Sequence, residues 1–208
     1  IELSPENVQT WVKKASVHVE LGDKDAAMAD FDRAVALNAD DADIYYHRGQ
    51  VHFILGEFEA AMSDYSKSTS LDDTFIFSQV QHAVASYKLG NIARSTAEFC
   101  RILKKFSDSS ESYNYFGELM LDQQRHEDAV ANFDKSIALE QAKPKGKNVL
   151  PMINKALVLF QWKQDLSGAE QLCRDALRID PDCDVAIATL AQLSLQQTKI
   201  PESIEYFL

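Results

Sequence analysis

Apolar residues recur along the chain at the three- and four-residue spacings of amphipathic helices. No run alternates apolar and polar residues as a half-buried strand does. The stretch "YYHRGQVHFILGEFEAAMSDY", residues 45–65, shows the helical pattern but contains Gly49 and Gly56. A glycine inside a helix costs about 1 kcal/mol relative to alanine, so both glycines need a structural reason. The pattern as a whole predicts an all-α protein.

The helical pattern repeats every 34 residues. Columns at this spacing contain Gly22, Gly56 and Gly90; Ala27, Ala61, Ser95 and Ala129; Phe31, Tyr65, Phe99 and Phe133; and Ala15, Gly49, Ala83 and Gly117. The period and its residues resemble the tetratricopeptide repeat, a helix–turn–helix unit. The resemblance implies that Gly49 lies where the two helices of a unit cross and that Tyr65 fills the space between them. Gly56 is expected in the intervening turn, in the left-handed conformation that ends a helix.

The phase of the period predicts the organisation of the chain. Residues 1–7 are expected to end a preceding repeat, 8–139 to form four repeats, 140–149 to form a basic insertion loop, and 150–208 to form two more repeats, the last of them truncated. In the fifth repeat 13 residues separate Ala156 from Ala169, where 12 separate Gly49 from Ala61, so its first helix is expected to be one residue longer. Neither terminus has the polar repeat that caps a solenoid, which predicts a segment of a longer solenoid.

Charge and composition argue against several classes of function. The net charge of −11, from 32 acidic and 21 basic residues, disfavours nucleic acid as a partner. The three cysteines form no CxxC pair and are expected to be reduced thiols, and no cofactor or metal is predicted. His18 and His52 share a column and are expected to be packed imidazoles. No nucleophile–base motif or phosphate-binding loop is present, so the chain is not expected to be an enzyme.

The repeat resemblance implies a right-handed superhelical solenoid, with the first helix of each unit lining the concave side. Counting from the start of each unit gives the residues expected to line a peptide-binding groove. They are Asp43, Tyr46, Gln50, Phe53, Phe77, Val80, Val84, Tyr87, Glu111, Asn114, Tyr115, Glu118, Leu121 and Asp122. An apolar groove with carboxylates at its margin suits an amphipathic helix or an extended apolar segment with basic residues. The alternative that several of these side chains only pack between repeats stays open.

Some tetratricopeptide proteins hold the acidic C-terminal tail of heat-shock chaperones with Lys, Asn and Arg at the fifth and ninth places of the first helix. In the first three units these places contain Val12, Ser16, Tyr46, Gln50, Val80 and Val84. The segment is therefore expected not to bind such a tail.

Three longer stretches resemble one receptor family more specifically. They are "YHRGQVHFILGEFEAAMSDYSKSTSLD", "NYFGELMLDQQRHEDAVANFDKSIALE" and "AIATLAQLSLQQTKIPESIEYF". They are similar to the C-terminal half of the large tetratricopeptide receptor of the mitochondrial outer-membrane translocase, fungal type. The resemblance implies binding of mitochondrial precursor proteins, both carrier-type and presequence-like segments, and contact with other translocase subunits. It also implies a place on the cytosolic face of the outer membrane, with the anchor and the chaperone-binding repeats outside this chain.

Two other classes of function remain open on the sequence alone. One is a generic tetratricopeptide scaffold or co-chaperone module that binds some other peptide. The other is the tetratricopeptide arm of a multidomain enzyme.

Overall fold

A computed structural model describes residues 6–144 and 146–199. Helices account for its regular structure, and no β-strand occurs among these residues, as predicted. The helices are α1 (Val8–Glu20), α2 (Lys24–Leu37), α3 (Ala42–Ile54), α4 (Phe58–Leu71), α5 (Ile76–Lys88), α6 (Ile92–Lys105), α7 (Ser110–Asp122), α8 (His126–Ala142), α9 (Leu150–Val158), α10 (Leu166–Ile179) and α11 (Asp184–Gln196). They fall into two compact units, an N-terminal unit of residues 1–105 and a C-terminal unit of residues 106–208.

The first helix of each pair begins where the 34-residue phase places it. The helices α1, α3, α5, α7, α9 and α11 start at Val8, Ala42, Ile76, Ser110, Leu150 and Asp184. Short polar side chains define several of these starts, because they accept hydrogen bonds from backbone N–H groups that have no partner within the helix. Asn7 accepts from the backbone N–H of Thr10, and Ser109 accepts from that of Ser112.

The two glycines of the second repeat have the architectural roles that the sequence predicts. A Cβ atom on Gly49 would lie 2.8 Å from Cε1 of Tyr65 and 3.3 Å from the backbone oxygen of Ala61. Tyr65 is fully buried, so the ring fills the space between α3 and α4 that a side chain on Gly49 would need. Gly56 has φ +76°, a backbone conformation that glycine adopts without steric cost, and it lies in the turn between these helices.

The first helix of the fifth repeat contains the additional residue that the sequence predicts. After α9 the chain continues through a π-helical turn, Leu159–Lys163, and then reaches Gln164 at φ 55°. A π-helical turn accommodates one residue more than the same length of α-helix, and such turns are frequent at functional sites.

The boundary of the predicted insertion loop needs a correction. Residues 140–142 are not loop, because α8 continues to Ala142. Glu140 faces the interior, and Nζ of Lys143 lies 2.8 Å from Oγ of Ser110 and within ion-pair distance of the carboxylates of Glu140 and Glu111. These contacts hold the end of α8 against the start of α7, so only the remainder of the predicted loop, up to Val149, lies between helices.

Each unit has its own apolar interior. In the N-terminal unit Val12 and Ala15 of α1 pack with Phe31 of α2 and Ile44 of α3. In the C-terminal unit one cluster joins α9, α10 and α11 through residues that include Ala156, Cys173 and Leu190, and a second contains Met152, Ile153 and Ala186. Among residues 6–144 and 146–199, none of the helices has the length and apolar character required to cross a bilayer. The second helix expected for the sixth repeat and most of the predicted segment 1–7 lie outside the described residues.

Candidate peptide-binding surfaces

Aromatic side chains gather on the first helices of the second and third repeats, in the N-terminal unit. The ring of Tyr46 lies 4.9 Å from that of Phe75 in a T-shaped arrangement and 6.4 Å from that of Phe77, centroid to centroid. Phe75 and Phe77 are themselves 6.1 Å apart. Phe77 remains 38% exposed, although large apolar side chains are usually buried. These three residues, called here the aromatic cluster, form the apolar part of the predicted surface.

Polar groups next to the aromatic cluster orient it. Nε2 of Gln50 donates a hydrogen bond to the hydroxyl of Tyr46 at 2.9 Å, one turn along α3. Asp43 accepts a hydrogen bond from Nε2 of Gln9 at 3.1 Å, and Nε2 of His47 lies 3.4 Å from its other oxygen. The Asp43 carboxylate therefore stays partly exposed beside the rings, where a basic ligand group can reach it.

Other predicted groove residues are largely structural. Val80 is only 2% exposed, because it packs into the interior of the N-terminal unit, and its expected contact with a ligand is a correction to the prediction. Phe53 is partly buried, 5.2 Å from the ring of Phe58, and packs against the cluster around Tyr65. Val84 and Tyr87 are also partly buried.

The predicted residues of the C-terminal unit form a polar surface. Nδ2 of Asn114 donates to Oε1 of Glu118 at 2.7 Å, and Nδ2 of Asn154, on α9, donates to the same oxygen at 2.8 Å. Asn114 is buried at 6% exposure, so it positions Glu118 and does not itself present a surface. Loss of water around the carboxylate raises the pKa of Glu118 more than the two amide hydrogen bonds lower it, and the charge of Asp122 raises it further. Asp122 is exposed.

The remaining predicted residues of this unit are Glu111, Tyr115 and Leu121, all partly buried. The carboxylate of Glu111 is paired with Lys143 at 3.1 Å. Although burial raises the pKa of Glu111, hydrogen bonds from its own backbone N–H and from Lys143 outweigh that effect and lower it. A carboxylate already paired in this way attracts a basic ligand less strongly than Glu118 or Asp122 does.

A series of charged pairs between the helices of each repeat was not anticipated from the sequence. Lys14 pairs with Asp30 at 2.7 Å, Arg48 makes two hydrogen bonds to Asp64, and Nδ1 of His82 lies 2.9 Å from Glu98. Both members of the pair recur at 34 residues, a signal visible in the sequence. His18 and His52 are half-buried beside the same carboxylates, with Nδ1 of His18 3.0 Å from Asp30 and Nε2 of His52 3.8 Å from Asp64. Across the described part of the chain, no three His, Cys, Asp or Glu side chains converge as metal ligands.

Comparison with known proteins agrees with this architecture. The family model described as "Tetratricopeptide repeat" matches residues 12–72. The mitochondrial import receptor subunit TOM70 of Saccharomyces cerevisiae is 31% identical over 211 residues, which cover all of this chain and 34% of the relative. The crystal structure of yeast Tom70 superposes with a TM-score of 0.89 at 29% identity, over 97% of this chain and 42% of that chain. The chain is a tetratricopeptide-repeat solenoid homologous to a region of Tom70.

The similarity extends to animal members of the same receptor family. The human TOM70 subunit is 28% identical over 203 residues, which cover 94% of this chain and 33% of the human protein. The chain thus spans about a third of the length of the receptors it matches, and the alignments continue through the interrupted phase at residues 140–149.

Proposed function

We propose that the chain is the precursor-binding region of a mitochondrial import receptor on the cytosolic face of the outer membrane, and that it is a binding module without catalytic activity. The exposed aromatic cluster, on a surface homologous to part of Tom70, carries this proposal. Its ligands are hydrophobic carrier-type segments and amphipathic presequence-like segments of mitochondrial precursor proteins. Other translocase subunits are further partners, whereas heat-shock chaperones bind through repeats that this chain lacks.

The chemistry of the two units suits different parts of such a ligand. Aromatic rings supply large contact areas at low cost in side-chain entropy and often dominate the binding energy of an interface. Phe77, Phe75 and Tyr46 therefore suit the apolar residues of a precursor. Carboxylates without a cationic partner, such as Glu118 and Asp122, attract basic residues and increase the rate of association.

Removing the exposed ring of the aromatic cluster tests the proposal. Phe77→Ala is expected to weaken binding of a fluorescein-labelled hydrophobic carrier segment by about fivefold or more, since loss of an aromatic anchor typically costs above ~1 kcal/mol. Fluorescence anisotropy measures the dissociation constant. Phe77 is a better choice than Phe53, because Phe53 packs on Phe58 and its loss would also disturb the fold.

The matched control is Ile92→Ala, which removes another exposed apolar side chain of the N-terminal unit at the start of α6. It is expected to leave the dissociation constant unchanged. Equal binding by Phe77→Ala and wild type, with equal melting temperatures, would show that precursor segments bind elsewhere.

A further inference from the structure

An open pocket of about 460 Å³ lies on the opposite set of helices from the aromatic cluster, within the N-terminal unit. Residues of α4, α5 and α6 line it, among them Thr69, Gln79 and Arg101. None of its lining residues belongs to the predicted groove.

One repeat earlier, the equivalent place is filled by the protein itself. Tyr45 stands 34 residues before Gln79 and is buried, with its hydroxyl donating to the backbone oxygen of Ala39 at 3.1 Å. Arg48 and Lys67 lie over the ring of Tyr45, at 5.4 and 5.7 Å from its centroid. Arg48 also reaches Asp32 of the preceding repeat at 3.5 Å, so the helices around the ring are bridged.

In the third repeat each of these groups is replaced by a smaller one. Gln79 takes the place of Tyr45, His82 that of Arg48, and Ser66 that of Asp32. The Gln79 amide donates to the backbone oxygen of Asp73 at 2.8 Å, and the His82 imidazole is held 2.9 Å from Glu98. The pocket is therefore the space that an aromatic ring and a bridging guanidinium occupy one repeat earlier.

The pocket has a positively charged wall, in contrast to the acidic chain around it. Arg101 takes the place of Lys67, but no ring lies beneath it, since its counterpart to Tyr45 is Gln79. Its Nε donates to the backbone oxygen of Ala97 at 3.3 Å, and within the described part of the chain no carboxylate lies at ion-pair distance. The nearby carboxylate of Glu98 is already occupied by His82 and Arg94, both at 2.9 Å.

We propose that this pocket binds a segment of a partner protein in which an acidic side chain adjoins an aromatic one. The ring occupies the volume that Tyr45 fills in the preceding repeat, with Arg101 above it as Lys67 is above Tyr45. The carboxylate pairs with the free Nη groups of Arg101 and accepts from the Thr69 hydroxyl, because charge-assisted bonds to a guanidinium are strong and directional. The site is independent of precursor binding at the aromatic cluster and has the opposite charge preference.

A fluorescein-labelled peptide with the core Glu-Tyr-Glu, flanked by glycine and serine, is the probe for this site. Saturable binding is expected by fluorescence anisotropy, and Arg101→Gln is expected to weaken it about tenfold. Gln79→Tyr rebuilds the ring of the preceding repeat inside the pocket and is expected to abolish binding. Lys67→Gln is the matched control, since the same place one repeat earlier is closed by Tyr45, and it should bind as wild type does.

Binding of the hydrophobic carrier segment is measured on the same proteins and is expected to be unchanged, so that failure of this site is distinguishable from failure of the proposed function. Absence of saturable binding of the Glu-Tyr-Glu probe would overturn the proposal. So would binding that Arg101→Gln leaves unaltered, a conclusion that holds even if Gln79→Tyr does not fold, because Arg101 is exposed and its replacement leaves the interior intact.

Discussion

Leucine in place of Gly49 is expected to lower the free energy of unfolding by about 1–3 kcal/mol, the usual cost of overpacking an interior. Even the first carbon of a side chain at this place would lie 2.8 and 2.9 Å from two ring carbons of Tyr65. The ring is fully buried and cannot move into solvent. The backbone oxygen of Ala61, 3.3 Å away, prevents the helices from simply sliding closer. The helices must separate, and contacts along α3 and α4 weaken.

Thermal and urea unfolding monitored by circular dichroism measure this loss. Ala36→Leu is the control, because Ala36 is exposed on α2 and leucine is a good helix former. In a Tyr65→Ala background the same Gly49→Leu change is expected to cost less, since the ring that it meets is absent. An unaltered midpoint for Gly49→Leu in the otherwise wild-type chain would contradict the alignment of the repeats.

Alanine in place of Asp64 is expected to cost about 2–3 kcal/mol of stability, somewhat less than the 3–5 kcal/mol typical for breaking a fully buried pair. The carboxylate is 8% exposed and accepts two hydrogen bonds from Arg48, at 2.9 and 2.7 Å. The hydrogen bond to Asp64 is the main cause that raises the pKa of Arg48, so the guanidinium is charged at all accessible pH values. Its removal leaves a half-buried cation with only the more distant Asp32, at 3.5 Å.

Asp32→Ala is the matched control for this change. It removes a carboxylate from the same guanidinium, but Asp32 is 75% exposed, and exposed pairs contribute only about 0–1 kcal/mol. Denaturant midpoints compare the two variants. Equal effects of Asp64→Ala and Asp32→Ala would show that the pair within the repeat does not hold α3 against α4.

The sequence predicted the repeated features of the fold because they depend on spacing alone. Small residues must recur where helices cross, so the column through Gly49 established the starts of α1, α3, α5 and α7. The additional residue between Ala156 and Ala169 predicted the longer helix, which the structure accommodates as a π-helical turn. A period carries no information on where a helix ends beyond its unit, and so the extension of α8 to Ala142, held by Lys143, was missed.

Side chains of the candidate site were harder to predict, because exposure depends on neighbours that differ between repeats. The fifth place of the first helix is partly exposed at Tyr46 but buried at Val80, although both occupy the same column. The pocket beside Arg101 likewise results from differences between columns, namely Gln79 where the preceding repeat has Tyr45. Comparing each repeat with the one before it, rather than with the average pattern, would have revealed both.

Site-specific photo-crosslinking tests the central proposal, precursor binding at the aromatic cluster, most directly. A photoreactive amino acid placed at Phe77 is expected to crosslink to a bound carrier-type precursor segment on irradiation, and unlabelled segment should compete. The same group placed at Arg101, which is exposed on α6 away from the cluster, is expected to give no such product. Crosslinking at Arg101 but not at Phe77 would contradict the account and place the precursor on the second helices of the repeats.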